Sequence, residues 1–63
     1  MLRAGVFWLG ALGRHHTRIL GDLPGVERVG VFDTREETAR AVAGEFGARL
    51  FPSFESLADE IDV

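Results

Sequence analysis

Apolar residues along this 63-residue chain alternate between strand-like and helix-like segments. Residues 2–9 are apolar on both alternating faces apart from Arg3, which is typical of a strand buried on both sides in a parallel sheet. Residues 11–23 then have apolar positions at helical spacing. The pattern predicts a strand followed by a helix, and the residues predicted to form the buried stripe of that helix are Leu12, His16, Ile19, Leu20 and Leu23.

A second strand and helix follow after Pro24 and Gly25. The short segment 27–33, with the sequence ERVGVFD, contains β-branched residues and predicts a strand. Thr34 and Glu37 match a capping box at a helix start, and Gly47 lies where a C-terminal cap is expected. The buried face predicted for this helix consists of Ala39, Val42, Ala43 and Phe46.

The last part of the chain predicts a third strand and helix. Residues 48–51, with the sequence ARLF, form the strand, and Pro52-Ser53 opens the helix. The order β-α-β-α-β-α with short connections indicates an α/β fold, with parallel strands between layers of helices, in one domain over residues 1–63. The predicted buried face of the last helix consists of Phe54, Leu57, Ala58 and Ile61.

Composition excludes several classes of function. The net charge of −3 disfavours a nucleic-acid partner. The absence of cysteine excludes disulfides and thiolate metal sites. No run of about 18 apolar residues predicts a membrane span, and the N-terminus lacks a cleavage-site pattern. We therefore expect a cytoplasmic protein with no nucleic-acid or membrane partner.

Residues 8–13, with the sequence WLGALG, follow the first strand in the arrangement of a dinucleotide-binding turn, G-x-G-x-x-G. Gly10 and Gly13 match the second and third glycines, and Trp8 replaces the first. Asp33 ends the second strand about 20 residues further on, where an acid binds the adenosine ribose and favours NAD over NADP. Arg35 close by would weaken that preference. The alternative for the glycines is a turn that serves only the packing of the strand against the helix. The alternative for Asp33 is a charged residue beside the Thr34 cap with no role in ribose binding.

With these features the chain resembles the N-terminal nucleotide-binding half-domain of the glucose-fructose oxidoreductase and inositol dehydrogenase family, Gfo/Idh/MocA. The resemblance lies in GALGRHH, in PGVERVGVFDTREETARAVAGEFGA and in FPSFESL. It implies a half Rossmann fold with parallel strands in the order 3-2-1, and NAD(P) as the cofactor of the parent family. The cofactor-binding positions that it implies here are Gly10, Ala11, Leu12, Gly13, Asp33 and Thr34.

Members of that family oxidise or reduce sugars and polyols, and the resemblance places their catalytic lysine further along the chain. This sequence contains no lysine. We therefore expect a truncated and engineered fragment with no catalytic residue and no bound cofactor. Phe7, Trp8 and Phe32 are larger than the residues usual in the family, and they are expected to fill space near the nucleotide cleft.

The first strand is the expected surface for self-association. Lacking the fourth strand of the family's sheet, it would be an apolar edge with unpaired backbone groups. The main functional prediction is a homodimer in which two first strands pair antiparallel through Val6, Phe7, Trp8 and Leu9. The alternative is a residual NAD(P)-binding module, and a third possibility is an enzyme subunit completed by another chain.

His15 and His16 raise the question of a metal site. Adjacent helix positions point about 100° apart, so the two rings do not easily bind one ion. No metal site is expected, and His16 is predicted to pack in the helix stripe while His15 is exposed.

Overall fold

Two parallel strands and three helices form the fold, and the computed structural model describes all residues from 1 to 63. The elements follow the predicted order except that no third strand forms. In chain order they are β1 (Leu2–Phe7), α1 (Ala11–Asp22), β2 (Val26–Phe32), α2 (Glu36–Phe46) and α3 (Phe54–Ala58).

The two strands pair in parallel along their whole length. Leu2 lies opposite Val26 at one end, and Phe7 lies opposite Phe32 at the other. The register shifts once, between Ala4 and Gly5, where β2 contains one extra residue. This pairing brings the C-terminal ends of both strands to the same edge of the sheet.

The predicted third strand is reduced to a single bridge, so the prediction of three strands in the order 3-2-1 is wrong. Leu50 forms an isolated parallel bridge with Val31. The Val31 N–H donates to the Arg49 carbonyl at 2.9 Å, and the Phe51 N–H donates to the Val31 carbonyl at 2.9 Å. The ladder stops there because the Ser53 N–H, the next donor on the side facing β2, instead donates to Ser56 Oγ at the start of α3. The sheet therefore has two strands, with this segment at the free edge of β2.

Helices pack on both faces of the sheet. On one face, Val6 and Val31 are buried together with Ala39, Val42 and Ala43 of α2, as predicted for that helix. Gly5 faces the opposite side, because side chains alternate along a strand. There a Cβ on Gly5 would lie 3.0 Å from Leu57 Cδ1. The sheet is therefore covered by α2 on one side and α3 on the other.

The buried face of α1 differs from the predicted stripe. Ile19 and Leu20 of that stripe are half-buried, and Leu20 packs against the core. Leu12 and Leu23 are 69% and 44% exposed, and His16 is also exposed. Gly13 and Thr17 are the buried residues of the helix. The hydroxyl of Thr17 donates to the Gly13 carbonyl at 2.8 Å, so its polar atom is satisfied within the helix. These small side chains let α1 approach the sheet more closely than a leucine stripe would.

The ends of α2 bear out one predicted cap and contradict the other. Gly47 ends the helix in the left-handed conformation with φ 64°, as predicted. The capping box of Thr34 and Glu37 is wrong, because the helix begins two residues after Thr34 and its N-cap is Arg35, without a side-chain cap. Asp33 instead accepts the Arg35 N–H at 2.9 Å. The aspartate therefore fixes the chain entering the helix.

A capping box that the sequence pattern did not predict starts α3. Ser53 accepts the Ser56 N–H at 3.1 Å, and Ser56 Oγ accepts the Ser53 N–H at 3.2 Å. Leu57 is fully buried as predicted, whereas Phe54 and Ala58 of the same predicted face are exposed. The helix has only five residues, so it covers less of the sheet than a longer helix would.

The outer edge of β1 is partly paired, contrary to the expectation of a bare edge. Asp62 accepts the Arg3 N–H on its side chain at 2.9 Å and donates its own N–H to the Arg3 carbonyl at 2.7 Å. The Gly5 N–H donates to the Val63 carbonyl at 3.1 Å. Residues 62–63 therefore lie where a neighbouring strand would begin.

Two of the four residues predicted to self-associate are buried in the chain's own core. Val6 is 6% exposed and Leu9 is 2% exposed. Trp8 is 54% exposed, and Phe7 is partly buried. The left-handed turn at Trp8 directs Leu9 inward, so the side chains of Val6 and Leu9 are packed in the core instead of being free to contact a second copy. None of the helices has the length and apolar character needed to cross a membrane.

Candidate functional site

The turn between β1 and α1 keeps the shape of a glycine turn although a tryptophan occupies its first glycine position. Trp8 has φ 65°, and it is the only non-glycine residue with a positive φ. An L-residue in this conformation costs roughly 1–2 kcal/mol. The Trp8 N–H donates to the Phe32 carbonyl at 3.0 Å, which ties the turn to the end of β2. The backbone therefore adopts the sharp turn, with strain that glycine would avoid.

Gly13 performs the packing role of the third glycine. A Cβ on this residue would lie 2.1 Å from the Trp8 carbonyl oxygen. The obstacle is backbone, so it has no rotamer by which to move away. Helix α1 and the end of β1 are in contact at this point, and only glycine permits it.

Gly10 has no such intramolecular requirement. Its φ is −72°, which any residue adopts. The nearest atom to a Cβ placed on Gly10 is Arg35 Nη2, at 3.9 Å. The space in front of Gly10 is therefore open, as expected where a ligand approaches the backbone.

The N-terminus of α1 is uncapped beside this open space. Gly10 is its N-cap and supplies no side chain, and the first turn has no acidic residue. The first hydrogen bond of the helix runs from the Arg14 N–H to the Gly10 carbonyl at 2.8 Å. The N–H groups of Ala11, Leu12 and Gly13 therefore lack a helical acceptor, and such a helix end attracts anions.

Asp33 is buried immediately after β2 and joins the two strand ends. Its Oδ2 accepts the Leu9 N–H at 2.7 Å and Arg35 Nη2 at 2.9 Å. Its Oδ1 accepts the Arg35 N–H at 2.9 Å and Arg35 Nε at 3.3 Å. The side-chain and backbone hydrogen bonds from Arg35 outweigh burial and hold the pKa of Asp33 well below its usual range.

Arg35 is the site residue whose position the sequence did not reveal. The four N–H donors around Asp33 use all of the roughly four acceptor sites of a carboxylate. The Arg35 side chain is 61% exposed, in contrast to the buried carboxylate. It also lies nearest to the open space at Gly10. The only sequence signal was an arginine two residues after the strand-ending acid.

Four aromatic rings gather beside the turn: Phe7, Trp8, Phe32 and Phe54, here called the aromatic cluster. The ring centroids of Phe7 and Phe54 are 4.7 Å apart. The indole of Trp8 lies 6.1 Å from the Phe32 ring and 6.4 Å from the Phe54 ring. Side chains of adjacent strand residues normally face opposite sides, but the left-handed backbone of Trp8 turns its indole toward the same rings that Phe7 contacts.

An open cavity of about 530 Å³ lies beside Asp33. Thr34, one of the predicted cofactor-binding residues, is exposed there. Thr34 and Asp33 therefore share a cavity, whereas Gly10 to Gly13 lie at the helix end. The cavity is lined by Phe32, Asp33, Thr34, Glu36, Ala39, Arg40, Leu50, Phe51 and Pro52.

The two histidines are both exposed on α1, so the prediction that His16 packs is wrong. His15 Nδ1 lies 3.2 Å from Arg18 Nη2. No group of three histidine or carboxylate side chains lies close enough to hold a metal ion.

Residues 2–63 match the family model described as the oxidoreductase family with an NAD-binding Rossmann fold. The chain is 39% identical over 61 residues to a UDP-N-acetylglucosamine 3-dehydrogenase from Acidithiobacillus ferrooxidans. The match covers 97% of this chain and 19% of that protein.

Two crystal forms of the same Acidithiobacillus ferrooxidans enzyme, GnnA, share this fold. They superimpose with TM-scores of 0.88 and 0.89 at 39% identity. Each comparison covers 97% of this chain and 20% of the enzyme chain. The chain therefore spans about a fifth of the length of the relatives that it matches.

Replacing Gly13 with alanine is expected to destabilise the fold by about 3 kcal/mol, the upper end for overpacking, because the new Cβ meets the Trp8 carbonyl. Gly44→Ala is the matched control, since a Cβ there meets nothing within 4 Å. It lies in an exposed helical position and should stabilise by about 0.5–1 kcal/mol. Urea denaturation followed by circular dichroism measures both, and equal effects of the two changes would contradict the assignment.

Replacing Asp33 with asparagine is expected to cost about 1.5–3 kcal/mol at neutral pH, because charge-assisted hydrogen bonds are lost. The lowered pKa of Asp33 means that its contribution is fully present above the unfolded value of about 3.9. It is lost as the pH falls below that value toward the pKa of the folded state. The stability difference between wild type and variant should therefore shrink in acid.

Urea unfolding at a series of pH values measures this difference. Asp22→Asn is the matched control, because it makes the same chemical change at an exposed aspartate. A wild-type minus Asp33→Asn difference that stays constant below about pH 4 would show that the carboxylate is not held in its charged form.

Proposed function

The chain belongs to the oxidoreductase family with an NAD-binding Rossmann fold, Gfo/Idh/MocA, and on that basis we propose that it binds NAD or NADP at the turn between β1 and α1. The diphosphate lies against the free N–H groups of Ala11, Leu12 and Gly13. The single observation that carries the proposal is the combination of an uncapped helix N-terminus with open space at Gly10. Glycine is needed at Gly10 only if something approaches its backbone from outside.

The ribose of the adenosine half is assigned to Asp33, and this requires Arg35 to move. The carboxylate already accepts four N–H groups, two from the backbone and two from the Arg35 guanidinium. Ribose hydroxyls replace the guanidinium, while the Leu9 and Arg35 N–H groups stay in place. Because the Arg35 side chain is largely exposed, it has room to swing away toward the diphosphate, and the ribose hydroxyls replace the hydrogen bonds that it gives up.

The proposal for this chain is nucleotide binding without catalysis. When bound, the nicotinamide ring of such a cofactor carries hydride. The dehydrogenases that resemble this chain are about five times as long, so their activity is not assigned to these residues. The chain also contains no lysine, the residue type that the family resemblance gives as catalytic.

The Gly10→Ala variant should bind NADH about tenfold more weakly than the wild-type chain does. The Cβ would occupy the open space and lengthen the contact with the diphosphate, a loss of ~1.4 kcal/mol, comparable to one charge-assisted hydrogen bond. Isothermal titration calorimetry measures the affinity, and Gly44→Ala is the control that should bind like wild type. Equal affinity of wild type and Gly10→Ala would overturn the assignment of the diphosphate to this turn.

Self-association through the first strand is our second proposal. It is supported by the exposure of Trp8 at 54%, since large aromatic residues exposed together with apolar neighbours mark interaction surfaces. The backbone pairing of Arg3 and Gly5 with residues 62–63 favours contact through the aromatic side chains over antiparallel strand pairing.

Sedimentation equilibrium at micromolar concentration is expected to show a reversible dimer, and Trp8→Ser should shift the chain toward monomer. Leu12→Ser is the control, because Leu12 is also a large exposed apolar residue but lies on α1. A folded monomer over the whole concentration range, or an equal effect of both substitutions, would contradict the second proposal.

A further inference from the structure

We propose that the indole of Trp8 is the surface on which the adenine base of the bound nucleotide stacks. This inference rests on the nucleotide binding proposed above and adds a residue that determines base recognition. Trp8 occupies the position of the first glycine in a dinucleotide-binding turn, so its indole lies within the candidate site.

The position of Trp8 follows from its backbone contacts. Its N–H donates to the Phe32 carbonyl at 3.0 Å, and Asp33 is the residue that follows Phe32 in the chain. The following residue, Leu9, donates its N–H to Asp33 at 2.7 Å. Gly10 comes next in the chain. The indole therefore starts beside the residue assigned to the ribose and two positions before the residue assigned to the diphosphate.

The aromatic cluster holds the indole while leaving it accessible. The Trp8 ring lies 6.4 Å from Phe54 in a stacked arrangement and 6.1 Å from Phe32 edge to face. The side chain nevertheless remains 54% exposed. The rings support one part of the indole, and more than half of its surface is free to meet a planar ligand.

The strained backbone also points to a role for this side chain. Trp8 has the positive φ that glycine adopts freely. A bulky residue kept in such a conformation at a candidate ligand site points to function, because packing alone does not require an exposed ring there. Stacking of a base on an aromatic face is a function that this exposed ring performs without any polar partner.

Adenine, rather than nicotinamide, is the base that this geometry selects. The ribose assigned to Asp33 is the one attached to adenine, and the indole contacts Phe32, the residue immediately before Asp33. The nicotinamide half is joined to the adenosine half only through the diphosphate, so it is the half separated from Asp33 by the group assigned to Gly10. The indole is therefore on the adenosine side of the turn.

The fluorescence of Trp8 reports on this contact directly, because it is the only tryptophan in the chain. AMP and nicotinamide mononucleotide are the probes, and each carries one base, one ribose and one phosphate. AMP should quench the indole emission in a saturable manner, and nicotinamide mononucleotide should not. Quenching by nicotinamide mononucleotide but not by AMP would overturn the choice of base.

Three variants test whether the indole contributes affinity. Trp8→Leu keeps apolar bulk without a π-face and should weaken AMP binding about 5- to 10-fold, the lower range for one stacked base. Trp8→Phe restores an aromatic face and should bind within about twofold of wild type. Trp8→Gly removes both the ring and the strain and should bind like Trp8→Leu.

Equal AMP affinity of wild type and Trp8→Leu would overturn the inference, because the base would then bind without using the indole. Tighter AMP binding by Trp8→Gly than by wild type would show that the indole obstructs the site. Emission that changes with protein concentration and not with AMP would show that a second copy covers the ring. Each outcome is read after circular dichroism has confirmed that the variant is folded.

The failure of this inference is distinguishable from failure of the proposed function. If wild type binds NADH with the expected sensitivity to Gly10→Ala while the Trp8 variants bind AMP equally, only the stacking assignment fails. If neither NADH nor AMP binds wild type, nucleotide binding itself fails and the stacking assignment fails with it.

Discussion

The structure depends on the hydrogen bonds that the buried Asp33 carboxylate makes at the C-terminal edge of the sheet. One oxygen holds the Leu9 N–H just after β1, and the other holds the Arg35 N–H just before α2. This single side chain therefore fixes where both connections leave the two strands. It positions the turn of Trp8 to Gly13 relative to the end of β2, and the candidate site lies between them.

The site combines two surfaces of different chemistry around that carboxylate. On one side, the uncapped N-terminus of α1 offers backbone N–H groups to an anion, beside the exposed guanidinium of Arg35. On the other side, the indole of Trp8 is exposed at the edge of the aromatic cluster. A phosphate and an aromatic base joined by a ribose match the sequence of helix N-terminus, carboxylate and indole. The same exposed indole is also the basis of the second proposal, self-association.

Local patterns predicted most of the elements and the outline of the site. The periodicity gave β1, α1, β2 and α2 nearly at their observed bounds and the buried face of α2. It failed for residues 48–51, because strand length depends on pairing: after one bridge with Val31, the Ser53 N–H caps α3 instead of bonding to β2. It failed for part of the α1 stripe, because Gly13 and Thr17, which carry little apolar signal, are what permit close approach to the sheet.

The sequence by itself determined the family, the parallel α/β order and the identities of Gly10, Gly13 and Asp33, because spacing along the chain is a local property. Only the tertiary structure decided how those groups are engaged. Asp33 is fully bonded to Leu9 and Arg35, and the indole of Trp8 joins the same cluster as Phe7. These contacts join residues that are distant in the sequence, and they form only when folding brings the two strand ends together, so a pattern along the chain cannot predict them.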